Sequence, residues 1–398
     1  MSDAAHFDPF AYELHEDPYP TYRALRERAP VYKNPELGFW ALSRHADVVA
    51  GFKDHERLCN SGGISLEMGD LGTDMSAVLS FLGMDPPRHT RMRGLVSRGF
   101  TPRRVAELEP RVRALATQTI DRFSGAGRCD FVADFAGRLP MDVISEMLGV
   151  PESDRDELRA WADLVLHRDE GVRGVPPEGI QASMKLLQYF VGLVAARRRA
   201  PGRDLASALL QVEVDGDRLG EKDIIGFCYL MIIAGNETTT KLLANALYLL
   251  ERNPSARAEV TANPALIPSW VEETLRYDNS TQLMARTATR DFELHGEKIA
   301  RGEKVLLLIG SANRDERVFP QPDVFDIHRD TSESLAFGKG IHFCLGAALA
   351  RLEARVSLEE VMRRLPDFRV DASGIARVHS TNVRGFSALP ITFTPSRA

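Results

Sequence analysis

A mainly α fold with a minor β part is what the sequence predicts, on three observations. The segment 221–252 runs without a proline until Asn253-Pro254 stops it, and its middle is nearly all apolar. That pattern is a long helix buried on all sides. Helical patterning, punctuated by prolines, dominates from Arg88 to Arg199. Strand-like runs are short and lie only towards the two ends. No internal repeat or low-complexity linker divides the chain, so residues 1–398 are expected to form one domain.

Taken in order, Pro18-Tyr19-Pro20 opens a helix through Arg28, with Tyr22, Leu25 and Ala29 near helical spacing. Residues 38–42 read as a strand, with the next strand candidate far away in the C-terminal third. A loop from Cys59 to Gly83 bears Gly62, Gly63, Gly69 and Gly72; so long an irregular stretch reads as a functional lid. Helices follow from Arg88 to Gly149, then a pair at 151–168 and 177–199 joined by a Gly- and Pro-rich hinge, 169–177. After the long helix come a short helix beyond Ile267-Pro268 and strands at 283–289, 292–294 and 304–308. A turn-rich stretch, 319–326, leads to a final helix, and 389–393 alternates like a closing strand.

Composition narrows the function classes. The chain has 398 residues, 44% of them hydrophobic and 27% charged, and a net charge of -6, so nucleic acid and acidic membranes are not expected partners. Its four cysteines (Cys59, Cys129, Cys228, Cys344) are far apart, which suggests neither a zinc site nor a disulfide framework. The first residues lack the basic and apolar regions of a signal peptide, and the longest uncharged apolar run, Ile224 to Gly235, is too short to span a bilayer. The expectation is a soluble, cytoplasmic monomer.

One stretch carries chemistry: Phe337-Gly338-Lys339-Gly340-Ile341-His342-Phe343-Cys344-Leu345-Gly346. Glycines at 338 and 340 admit backbone conformations closed to other residues and permit close approach of a flat ligand. Cys344 opens an alanine-rich helical run, where free N–H groups and the dipole favour an anionic sulfur and lower its pKa. A lone free cysteine is most often a small buried hydrophobe; the setting sets this one apart.

Three further motifs stand upstream. Ala234-Gly235-Asn236-Glu237-Thr238-Thr239 lies in the middle of the long helix. Glycine costs about 1 kcal/mol there relative to alanine, and a hydroxyl pulls on the i−4 carbonyl, so local distortion is expected. Glu273 and Arg276, spaced i,i+3, meet on one helix face. His89 and Arg93, spaced i,i+4, suit two donors facing a carboxylate.

The cysteine loop resembles the haem-binding loop of the cytochrome P450 monooxygenases, Phe-Gly-x-Gly-x-His-x-Cys-x-Gly, at every fixed position. The upstream motifs resemble that family's in type and order, from about residue 85 to 351. The resemblance implies an α-rich P450 fold with a long central helix and a small sheet region. It implies haem b, ligated through Cys344, with Phe337, Gly338, Gly346 and Ala234 against it and His89, Arg93, Arg286 and His342 on its propionates. Glu237 and Thr238 are then the catalytic acid and alcohol that handle protons and O2. Glu273, Arg276 and Arg329 take a structural role.

By the same resemblance the substrate pocket comprises Phe81, Leu82, Leu230, Ile233, Ala234, Thr281, Gln282, Leu283 and Phe386. Most are apolar, so a hydrophobic small molecule is the expected substrate. Electrons are expected from a separate ferredoxin and its reductase, with Arg98, Arg103, Arg104, Lys339, Arg351 and Arg355 steering the docking. The implied reaction is hydroxylation or epoxidation with one oxygen atom of O2. A peroxide-driven peroxygenase and a non-catalytic haem-bearing recruitment protein are the alternatives, and the presence of Glu237 and Thr238 speaks against both.

Overall fold

The structure, a computed structural model, describes residues 6–66, 80–167, 174–214 and 217–395. Gly69 and Gly72 of the expected lid, and residues 169–173 of the expected hinge, lie outside the described residues.

Two short helices lead in, α1 (Tyr12–Glu16) and α2 (Tyr19–Arg28), the second burying Tyr22, Leu25 and Arg26. Next come β1 (Val31–Asn34), β2 (Phe39–Leu42), α3 (His45–Lys53) and β3 (Leu58–Cys59). The helical body begins with α4 (Arg88–Val96), α5 (Pro102–Ala106) and α6 (Glu109–Asp121), followed by β4 (Arg128–Asp130) and α7 (Leu139–Leu148). It continues through α8 (Glu152–Leu166), α9 (Pro177–Arg199), α10 (Leu205–Gln211) and the hairpin β5 (Glu213–Val214)–β6 (Asp217–Arg218).

The central helix α11 (Glu221–Arg252) has the predicted ends, and Asp223 supports its first turn by accepting from the Gly220 amide. Beyond it lie α12 (Pro254–Ala262), α13 (Ile267–Tyr277), β7 (Leu283–Ala288), β8 (Phe292–Leu294), β9 (Glu297–Ile299), β10 (Lys304–Leu308) and α14 (Ile309–Ala312). The chain closes with α15 (Ala347–Arg364), β11 (Arg369–Val370), β12 (Ala376–Arg377), β13 (Phe386–Ala388) and β14 (Pro390–Thr392).

Helix α11 packs against α7, α9, α13 and α15, which explains its burial on nearly every side. The expected distortion at 235–239 does not break it: the segment is helical throughout. Four neighbouring helices pack on it, and the Thr238 hydroxyl donates to the Ala234 carbonyl one turn back.

The main sheet has five strands in the order β1-β2-β10-β7-β3. Strand β2 is buried on both faces. Phe39 and Ala41 meet Tyr22, Leu25 and Phe7, whereas Trp40 and Leu42 meet Val48 and Phe52 on the other side. Alternation of side chains across the pleat produces this division. Strands β3, β4, β5 and β6 contradict the expectation that no strand lies between residue 42 and the C-terminal third, and β1 precedes the expected strand at 38–42. Their sequences show no alternation: β4 is Arg-Cys-Asp and exists because Pro390–Thr392 pairs with it.

Glu273 and Arg276 form a buried two-point ion pair, with Nε to Oε2 at 2.7 Å and Nη2 to Oε1 at 2.6 Å. Arg276 also donates to the carbonyls of Asn313 and Pro322, and Glu273 accepts from the Asp326 amide. Arg329 approaches the same Glu273 oxygen at 3.4 Å. The unit ties α13 to the turn-rich stretch that precedes the cysteine loop, as expected.

Candidate active site

The cysteine loop is held by its own backbone. The Cys344 amide donates to the Phe337 carbonyl at 2.9 Å, and Gly338 and Gly340 take φ of +68° and +72°. A Cβ at Gly340 would come within 2.7 Å of the Phe52 carbonyl oxygen. The close approach at Gly340 is therefore to α3 and not to a ligand. Gly346 is different: a Cβ there meets open space, as a flat group beside the loop requires.

Cys344 opens to solvent yet sits deep among protein atoms. Burial pushes its thiol up, and the Gly346 amide, Arg93, Arg351 and the Ala347 amide oppose that without overcoming it. The expected lowering by the helix start is thus outweighed in the free thiol, because desolvation is the larger effect. A coordinating metal cation deprotonates a thiol outright.

Beside the loop lies a cluster of polar side chains, two of them without a hydrogen-bond partner among the described residues. The rings of His89 and His342 are 4.1 Å apart, and none of their four nitrogens has a hydrogen-bond partner although all are buried. Arg286 is buried, and its guanidinium donates only to the adjacent Ala285 carbonyl among the bonds described. Arg93 donates to the Phe343 carbonyl at 2.7 Å, which steadies the loop one residue before the cysteine. Burial, then the charge of Arg93, pushes His89 down to about 4; burial, then His89, Arg286 and Arg93, pushes His342 down to about 2. Burial likewise brings Arg286 down to about 10. Buried polar groups ordinarily find partners. Two unpartnered histidines, with two arginines near enough to act on His342, fit the two carboxylates of a haem.

On α11 the burial pattern changes in one place. Ile233, Ala234, Gly235 and Thr238 are half-buried in a helix whose flanking residues are buried. A Cβ at Gly235 would find its nearest neighbour, Ile144, at 3.7 Å. The strip is left partly uncovered by the neighbouring elements. The Thr238 hydroxyl donates to the Ala234 carbonyl at 2.9 Å. Glu237, 7% exposed, does not stand free: Lys241 Nζ lies 2.8 Å from its Oε1 and donates to the Phe386 carbonyl at 2.9 Å. The sequence reading missed Lys241, although its i,i+4 spacing from Glu237 is visible in the chain.

The other expected pocket residues separate into groups. The Arg93 guanidinium lies over the Phe81 ring, which is 6.2 Å from the His89 ring, and half-buried Leu82 and Met284 both pack on Ile64. Leu230 is buried in the main core. Thr281 bridges to Val383, and the side chain of Gln282 donates to the Asn279 carbonyl, which spends it on local structure.

Two residues depart from expectation. Leu283 lies in the core with Phe7, Tyr22 and Leu25, because side chains alternate along β7 and Arg286 occupies the other face. Met284, half-buried and on the Arg286 face, is the residue the reading missed; counting back by two from Arg286 finds it. The ring of Phe386 packs on Tyr248 at 4.9 Å beneath Arg377 and lines a cavity of about 380 Å³ at the seam of the chain ends. Tyr248 is ten residues beyond Thr238, about 15 Å along the helix at 1.5 Å per residue.

Of the basic residues expected to steer a partner, Arg103 pairs with Glu107, Arg351 with Glu272, and Arg355 with Glu109 and Glu359. Arg98 and Arg104 are exposed.

A family model described as Cytochrome P450 matches residues 182–375. Cytochrome P450 123 of Mycobacterium tuberculosis is 54% identical over 386 residues, which are 97% of this chain and 96% of that protein. Among solved structures, cytochrome P450 CYP109Q5 of Chondromyces apiculatus matches with a TM-score of 0.90 at 38% identity, covering 99% of this chain and 100% of the other. CYP109E1 of Bacillus megaterium, solved in complex with testosterone, matches with a TM-score of 0.90 at 31% identity, covering 96% and 100%.

Proposed function

The chain belongs to the cytochrome P450 family of haem monooxygenases, and on that premise we propose that residues 1–398 act as one catalytic domain which oxygenates a hydrophobic small molecule. The observation that carries the reading is the cluster of two unpartnered buried histidines and two arginines beside the cysteine loop. His89, His342, Arg93 and Arg286 would hold the two propionates of haem b, and Cys344 would supply the sulfur that ligates its iron. Phe337, Gly338, Gly346 and Ala234 would lie against the macrocycle. When bound, the haem supplies the iron chemistry that activates O2.

The protein's own residues then divide the remaining work. Arg93, through the Phe343 carbonyl, fixes the loop and so the sulfur. Gly346 leaves open the side of the loop that a flat group needs. Thr238 offers a hydroxyl on the partly uncovered strip, and Glu237, its neighbour in sequence, offers a carboxylate for proton transfer. Both members of that pair are present, which favours the monooxygenase over the peroxide-driven and non-catalytic alternatives.

The substrate is proposed as hydrophobic because Phe81, Leu82, Ile233, Ala234 and Met284 offer mostly apolar surface near these groups. The relative solved with testosterone binds a ligand of that kind. Electrons would come from a separate ferredoxin and reductase, with Arg98, Arg104 and Lys339 the basic residues left to attract an acidic partner.

The test is spectroscopic. Purified protein, reduced and exposed to CO, should show the strongly red-shifted Soret band of a thiolate-ligated haem, and Cys344→Ala should abolish it. An unchanged band in the variant would overturn the ligand assignment.

A further inference from the structure

The cavity at the seam of the chain ends, about 380 Å³ in volume, lies away from the cysteine loop and holds polar groups that the fold leaves unused. Arg377, on β12, lines it. The side chain is only 13% exposed, and its Nη1 is buried with no hydrogen-bond partner among the described residues. Asp278 Oδ2 stands 3.8 Å from that nitrogen, too far for a hydrogen bond, and the Oδ1 of the same carboxylate already serves Tyr19 and Arg384. The guanidinium is held against two rings, 4.4 Å from the Phe386 centroid and 5.9 Å from that of Tyr248.

Two histidines add to this. His379, which also lines the cavity, has a buried Nδ1 without a partner among the described residues. The ring of His15, 5.7 Å from that of His379, likewise has its Nδ1 unpartnered, its Nε2 being spent on the Pro9 carbonyl. Ile375, Phe386 and Tyr248 supply apolar wall beside these nitrogens. The volume falls at the lower end of the range of small-molecule sites, roughly 300–1,000 Å³, and the lining has their usual make-up of apolar surface with a few convergent polar groups.

The charges around the cavity select its ligand. Burial, then the charge of Arg384, pushes the Arg377 guanidinium down from its ordinary value, and Asp278 opposes this. An anion beside Arg377 would offset both. Arg384 and Asp278 are paired with each other behind it. Glu16, exposed on the lining, opposes any anion, and it opposes a dianion such as phosphate more than a single carboxylate. A carboxylate also matches the planar fork of a guanidinium.

We propose that this cavity is a second binding site, separate from the haem site, for a small organic acid. Arg377 and His379 receive its carboxylate, and its aromatic or aliphatic body lies against Phe386, Tyr248 and Ile375. The site stands whether or not the reading of the cysteine loop does, because Tyr248 is about 15 Å along α11 from Thr238.

The experiment is calorimetric titration of the haem-loaded protein with benzoate and with hexanoate, the Soret band being followed in parallel. At least one of the two acids should bind at a single site with the Soret band unmoved. Its uncharged counterpart, benzyl alcohol or hexanol, should bind at least about tenfold more weakly, and Arg377→Gln should weaken the acid by a similar factor. Glu16→Gln should tighten it. Where Arg377→Gln does not fold, Ile375→Trp carries the test, since it fills the cavity without touching a charge and should abolish binding. Equal affinity for acid and alcohol, unchanged affinity in Arg377→Gln and Ile375→Trp, or heat that appears only together with a Soret shift would overturn the site. No binding of either acid at millimolar concentration would show a cavity that holds water alone, and would overturn it too. Inorganic phosphate binding as tightly as the better acid would overturn the assignment to an organic acid.

Discussion

Single residues here are legible by what they lack. The family resemblance implies His89 and His342 at the propionates, and the structure adds that their nitrogens are buried without partners among the described residues. Cys344 shows the opposite lesson. Its place before a helix suggests a lowered thiol, but burial outweighs the amides and arginines around it. Thr238 is half-buried on the open strip of α11, its hydroxyl resting on the Ala234 carbonyl. Thr238→Ala should leave the CO spectrum intact and divert reducing equivalents to peroxide. Coupled product formation at the parent level, measured against peroxide released, would remove Thr238 from the proton path.

Elements are positioned by contacts that local pattern does not show. The ends of α11 were readable, because Asn253-Pro254 is a stop signal and the apolar run is long. Strand β4 was not, since its three residues have no alternation and owe their conformation to β14. The Glu273–Arg276 pair lies between these cases: the spacing is visible, but burial makes it decisive. Its side chains are 1% and 0% exposed, so the screening that weakens surface pairs does not apply. Glu273→Gln leaves Arg276 with a neutral partner in a dry site, and the expected cost is about 3–5 kcal/mol. Thermal unfolding of the haem-loaded protein should report it, together with reduced haem content. A melting temperature within a degree or so of the parent would show the pair to be dispensable.

At the scale of the molecule, the two ends of the chain are knotted together through Asp278. Its Oδ1 accepts from the Tyr19 hydroxyl at 2.6 Å and from Arg384 Nε at 2.6 Å. Arg384 in turn donates to the carbonyls of His15 and Glu16, so the lead-in helices and the C-terminal strands share one ionic centre. Burial alone would raise the Asp278 carboxyl, but Arg384 and Arg377 outweigh it and hold the group below its ordinary value. A depressed folded value means that its stabilisation is fully present above the unfolded carboxylate value of about 3.9 and is lost as pH falls through the folded one. Asp278→Asn should lower the melting temperature at neutral pH and flatten its fall below about pH 4. Parallel pH profiles for parent and variant would contradict that linkage.

The sequence by itself determined the family, the long helix and the motifs, because a spacing such as His89 to Arg93 or the loop from Phe337 to Gly346 is local information. It also separated the conformational demands of Gly338 and Gly340 from those of their neighbours. Tertiary structure alone decided which faces meet. It turned Leu283 into the N-terminal core and Met284 to the Arg286 side, packed Phe386 against Tyr248, and committed Arg351 and Arg355 to ion pairs. It also placed Lys241 on Glu237 in a space that Gly385 keeps clear. The physical reason is common to all of these: side-chain direction and burial depend on residues far apart in the chain, and no local pattern encodes them.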